Sequence, residues 1–114
     1  SRGLGDVYKR QLWAELAIQH DGTDRWYLEA LGIGSDLHAD GRFGAWLAKA
    51  GKKWNSEGGR DIVWRVRSKQ APAYLARIIK DKSLEDHASP RYMRSFDFHN
   101  GDEKNKALES LLDL

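Results

Sequence analysis

The chain has 114 residues, with 19 Lys and Arg against 17 Asp and Glu, five Trp, four Tyr, three Phe and no cysteine. The missing thiols exclude disulfides, thiolate metal sites and covalent haem attachment through Cys-x-x-Cys-His within this sequence. No apolar run approaches the roughly 20 residues that span a bilayer, and a 40% hydrophobic content points to a folded chain with a modest core.

Ser1–Gln11, SRGLGDVYKRQ, reads as the in-frame translation of a transposon-end adapter of the kind used to prepare sequencing libraries, and Asp6–Gln11 carries that match most plainly. The stretch is expected to be a non-native tail that adds nothing to the core, leaving residues 12–114 as a single helical domain. On this reading native sequence begins at Leu12 without an initiating methionine, as in an internal piece of a longer protein. Setting aside Arg2, Lys9, Arg10 and Asp6 leaves 16 basic residues against 16 acidic ones. A balanced chain lacks the basic face from which nucleic-acid binders gain by counterion release, so no nucleic-acid partner is expected.

The spacing of apolar residues then predicts seven short helices in succession. Trp13, Leu16 and Ala17 mark the first, over Leu12–His20, and Asp21-Gly22 supplies its turn. Thr23 or Asp24 can cap the second, in which Trp26, Tyr27, Ala30, Leu31, Ile33, Gly34 and Leu37 share one broad face. Gly32 and Gly34 are costly inside a helix, and close approach of a neighbouring helix is their expected use. Phe43, Trp46, Leu47, Ala50 and Trp54 recur at i, i+3, i+4, i+7 and i+11 and give the clearest amphipathic helix.

A polar corner of Asn55, Ser56, Gly58 and Gly59 then separates that helix from Arg60–Ser68. Ile62, Trp64 and Val66 alternate there as in a strand, but no second strand-like run exists to pair with them, so a helix is predicted. Trp46, Trp54 and Trp64 are expected at the centre of the packing, with Phe43 and the helix-opening Asp61 beside them. Pro72 suits the first turn of the next helix, Gln70–Asp81, with Leu75, Ile78 and Ile79 as its buried stripe. Lys82–Ser89 reads as a connector. Tyr92, Met93 and Phe96 line one side of Arg91–His99, Asn100-Gly101 stops it, and Ala107, Leu108, Leu111 and Leu112 form the stripe of Asp102–Leu114. The fold class is all-α, as HEAT-like helical pairs of a solenoid fragment, with a compact orthogonal bundle as the rival.

Candidate chemistry is sparse. His20, His38, His87 and His99 are far apart and outside any metal-binding spacing, so no metal is expected; turn and capping roles are, with His99 buried and hydrogen-bonded. Asp97 and His99, two apart, do not face each other on a helix. Arg65, Arg67 and Lys69 beside Trp64 could form a basic, aromatic binding surface. The stronger expectation is that the arginines pair with Asp61, Glu57 or a carboxylate of an adjacent helix. Ser56-Glu57-Gly58-Gly59 lacks the Lys-Ser/Thr of a phosphate loop. No catalytic residue is assigned.

Asp24–Gly34 (DRWYLEALGIG), Ala45–Asn55 (AWLAKAGKKWN), Gly59–Ser68 (GRDIVWRVRS) and Pro90–His99 (PRYMRSFDFH) together resemble the helical segment of large haem-binding multidomain proteins of the Planctomycetes and Verrucomicrobia type. Such proteins join a sugar-dehydrogenase-like propeller, through HEAT-like repeats, to a c-type cytochrome module. The resemblance implies a non-catalytic scaffold between redox domains of an exported, periplasmic-type protein, with neighbouring domains of the parent as partners. It also implies haem c for the parent alone, since this chain has no attachment site. A segment contributing to a dehydrogenase active site or to the haem environment is the second reading, and a nucleic-acid-binding helical domain the third.

Overall fold

The computed structural model of the protein describes residues 2–112, with side chains from Gly5 onward. The protein is all-α: seven α-helices and three short 3-10 segments, with no strand among the described residues. They fall into two compact units, Ser1–Ser68 and Lys69–Leu114.

In the first unit α1 (Arg2–Ile18) runs through the adapter-like stretch without a break and packs mainly on α3 (Ala39–Ala50). Residues 5–12 of α1 are exposed, and burial begins with Trp13, Ala14 and Ala17. Leu16, expected on the inner face, is largely exposed, and Ala14 takes its place. Helix α2 (Arg25–Ser35) opens at Asp24, whose carboxylate accepts a 3.0 Å bond from the Tyr27 N–H and so satisfies one orphan donor of the first turn. Two side-chain bonds tie α1 to α2. Buried Trp13 Nε1 donates to the Leu31 carbonyl at 2.9 Å, and the Tyr27 hydroxyl donates to that of Leu16 at 2.6 Å.

Phe43 and Trp46, almost fully buried on α3, stack with ring centroids 5.7 Å apart. The expected helix Phe43–Trp54 is shorter than its apolar spacing implied. Gly51 at φ +54° closes α3, and Gly51–Asn55 continues as a 3-10 turn that still buries Trp54. Ser56 caps α4 (Glu57–Arg65) by accepting from the Gly59 N–H at 3.1 Å. Helix α4 buries Ile62 and Val63 and stops three residues before the expected Ser68, because Val66 turns extended (φ −71°, ψ 139°). Trp64 is only half-buried. Ser68, fully buried, donates to Asp40 at 2.8 Å and fastens the end of the unit to the start of α3.

The start of α4 lies against backbone. A Cβ on Gly58 would collide with the His20 carbonyl, and one on Gly59 with the Trp54 carbonyl. Gly22, at φ +96°, turns the chain between α1 and α2 over this same point, its Cβ position 3.3 Å from Glu57 Cβ.

The second unit holds α5 (Ala71–Lys80), a 3-10 turn Asp86–Ala88 inside the expected connector, α6 (Ser89–Ser95), a 3-10 turn Phe96–Phe98, and α7 (Asp102–Leu111). Pro72 sits in the first turn of α5, where its missing N–H costs no bond. Leu75 and Ile78 of α5, Tyr92 and Phe96 around α6, and Ala107 of α7 are buried, with α5 packed on α6 and α7. Met93 and Leu112, expected inside, are exposed, and the end of the helix expected to reach Leu114 lies outside the described residues.

Truncating Trp46 removes a side chain that is almost fully buried. Trp46→Ala should cost about 3–5 kcal/mol in urea melts, a large share of a small domain's stability. Gly44→Ala should raise stability by roughly 0.5–1 kcal/mol, because a Cβ there, in mid-α3, meets nothing within 4 Å. Gly58→Ala, at a position closed by backbone, should instead destabilise the fold.

Candidate functional site

Arg65, weighed as part of a basic surface but more strongly expected to pair with a carboxylate of an adjacent helix, does the latter: it is buried in the contact between α4 and α2. Its Nε and Nη2 donate to Glu29 at 3.1 and 3.2 Å, and its Nη1 and Nη2 donate to Asp36 at 3.0 and 3.1 Å. One planar fork thus holds two carboxylates from a neighbouring helix and its end, which a lysine ammonium cannot match. The bond to Asp36 raises the pKa of Arg65, burial opposes it, and Glu29 adds to the rise. Gly32 makes the clasp possible, since a Cβ there would strike the guanidinium itself. Gly34, by contrast, has its nearest neighbour, Trp13, 3.9 Å away, and no close approach depends on it.

Arg67 is half-buried and donates to the Trp64 carbonyl at 3.2 Å; burial, then the Arg65 charge, lowers its pKa. Arg65 is therefore taken up inside the first unit, where it clamps α2, while Arg67 bonds back to the end of α4 and Lys69 is exposed at the start of the second unit.

His20 was not distinguished from the turn histidines in the sequence, yet it is buried at the end of α1. Its Nε2–H donates to Asp61 Oδ2 at 2.8 Å, its ring stacks on Tyr27 with centroids 6.1 Å apart, and its buried Nδ1 has no hydrogen-bond partner among the described residues. A base oriented by a carboxylate also needs a reacting group within reach. Among the described residues the His20 ring bonds to Asp61 and to no hydroxyl or amine, and the pair pins the end of α1 to α4. His99 is buried near the end of α6, and Lys104 Nζ donates to its carbonyl at 3.2 Å. Among the described residues no three of His, Cys, Asp and Glu are grouped to hold a metal ion. The donor set does not fit a c-type haem either, because covalent attachment needs cysteine thiols.

Trp26, expected in the core, is 86% exposed, and Ile33 and Leu37, expected on the same inner face, are 66% and 90% exposed. These positions are seven and eleven apart, so they run along one side of α2 and the turn beyond it. The residues buried on α2 are instead Leu28, Leu31, Gly32 and Ser35. The face turned inward is the one that carries the Arg65 clasp. Of the apolar face recognised by periodicity, Leu31 is buried and Tyr27 half-buried, while Trp26, Ile33 and Leu37 are left to solvent.

A second feature lies between α5 and α7, a cleft of about 590 Å³. Ala73, Ala76 and Ala107 line it together with Lys69, Arg77, Lys80 and Lys106. A smaller cleft, about 240 Å³, is walled partly by Asp6 and Arg10 of the adapter-like stretch and partly by residues 37–42. No helix among the described residues is long and apolar enough to cross a membrane.

The chain matches no protein-family model, no curated protein and no solved structure.

Loss of the fork should be felt as stability. Arg65→Ala removes the cation shared by Glu29 and Asp36, which lie seven residues apart along one side of α2 and its end, and should cost roughly 1.5–3 kcal/mol. Arg65→Lys should recover only part of it, and added salt should shrink the gap because both carboxylates are partly exposed. A lysine variant as stable as the parent in urea melts would show that the fork geometry contributes nothing.

Proposed function

We propose that the chain is a non-catalytic helical docking module that spaces neighbouring domains of a larger, exported, haem-binding dehydrogenase-like protein through HEAT-like helical pairs. The observation that carries this reading is the uncovered row Trp26, Ile33 and Leu37 on α2. A folded chain gains nothing by presenting a tryptophan, an isoleucine and a leucine in line to water, and contiguous exposed apolar surface marks a place where another surface docks. Trp is also the residue type most enriched among the anchors of interfaces, where its large rigid ring fills a partner's pocket. The Arg65 fork, seated against Gly32, ties the helix that carries this row to α4. Among the described residues no nucleophile bonds to His20, and the sequence has no thiol, which favours a mechanical role over a chemical one.

The test uses the parent reading frame. A Cys-x-x-Cys-His motif or propeller repeats encoded beside this segment would support the haem-protein context. The chain should then bind a separately expressed flanking domain in a calorimetric titration. Trp26→Ser with Ile33→Ser should weaken that binding at least about tenfold while each change alters stability by about 0.5 kcal/mol or less. Variants that melt well below the parent, or that bind as the parent does, would overturn the assignment of this face.

A further inference from the structure

The cleft between α5 and α7 differs in chemistry from the apolar row on α2. Its floor is made of small side chains: Ala76 and Ala107 are buried, and Ala73 is exposed beside them. Small residues let a second backbone come close, as they do wherever helices pack tightly. Its rim is basic. Lys69, Arg77, Lys80 and Lys106 stand against a single carboxylate, Glu103. The Arg77 guanidinium lies over the Tyr74 ring, 5.3 Å from its centroid, which holds that cation along the wall.

The cations are spread out. Lys69 precedes α5 and Lys80 ends it, so the basic rim extends over about 16 Å at the rise of an α-helix. A small anion would need its cations to converge at one end. A spread of positive charge along an apolar trough instead suits an elongated occupant with several negative charges and an apolar side. We propose that this cleft binds an acidic amphipathic helix of a partner polypeptide. Its apolar face would lie on Ala73, Ala76 and Ala107, and its Glu and Asp side chains would reach Lys69, Lys80 and Lys106 on the two flanks. This is helix-in-groove recognition, in which spaced apolar anchors give the register and opposite charge selects the partner. Nucleic acid fits less well, because a strand needs a row of aromatic platforms for its bases and this cleft has only Tyr74.

The full chain is titrated into a fluorescein-labelled, glutamate-rich peptide with leucines at i, i+3, i+4 and i+7, followed by anisotropy. Saturable binding that weakens as salt is raised is expected. A peptide of the same composition with its leucines scrambled should bind at least about tenfold more weakly. Lys80→Glu with Lys106→Glu should lower affinity for the helical peptide by about tenfold or more, with circular dichroism confirming the fold. Ala73→Trp, at an exposed position, should fill the trough and do the same without changing charge. The proposal is overturned by absent binding, by equal binding of the scrambled peptide, by unchanged affinity in the folded variants, or by a single-stranded oligonucleotide that binds more tightly than the peptide.

Discussion

The close seating of α4 is the constraint on which the first unit depends. At Gly58 and Gly59 the helix begins where the His20 and Trp54 carbonyls leave no room for a methyl group, and at Gly32 the Arg65 side chain occupies the place of a Cβ. Backbone-on-backbone contact of this kind is all or nothing, because neither side can rotate out of the way. It fixes the angle at which α4 enters, and that angle brings Asp61 to His20 and Arg65 to Glu29 and Asp36. Ile62 and Val63 are buried as a consequence. The glycines, each unfavourable for an isolated helix by about 1 kcal/mol, are offset by the packing that they permit.

Charge within this unit serves architecture. A buried guanidinium is tolerable only when its donors are matched, and four bonds to two carboxylates match them. The same bonds join α2 to α4. Glu29 and Asp36 stay partly exposed at the edge of the covered side, which is formed by Leu28, Leu31, Gly32 and Ser35, and Trp26 and Ile33 face solvent. The clasp ties the electrostatics of α4 to the helix that carries the surface proposed for docking.

The two proposed surfaces draw on different forces. The row on α2 is apolar and would hold a partner by desolvation, with little dependence on salt. The cleft on α5 and α7 is a shallow apolar trough flanked by cations, and would select by charge as well as shape. Each lies within its own compact unit.

Local chemistry in the sequence determined the helices. Apolar periodicity located six of the seven and the lack of a partner strand decided α4, Asp24 and Pro72 marked starts, and the buried positions of Phe43, Trp46, Leu75 and Ile78 followed from their spacing; Gly101, expected to stop a helix, instead caps the start of α7. The absence of cysteine likewise settled which cofactor chemistry this chain cannot carry. Helix ends were less legible, since a left-handed Gly51 cut α3 short and an extended Val66 ended α4 early. Tertiary structure alone decided which face of α2 is covered, that Arg65 and His20 are internal, and that Lys69, Lys80 and Lys106 border one cleft. The reason is physical. A period of 3.6 identifies an apolar face but not its partner, and partners 29 to 41 residues apart, such as Arg65 with Asp36 and His20 with Asp61, meet only when the fold brings them together.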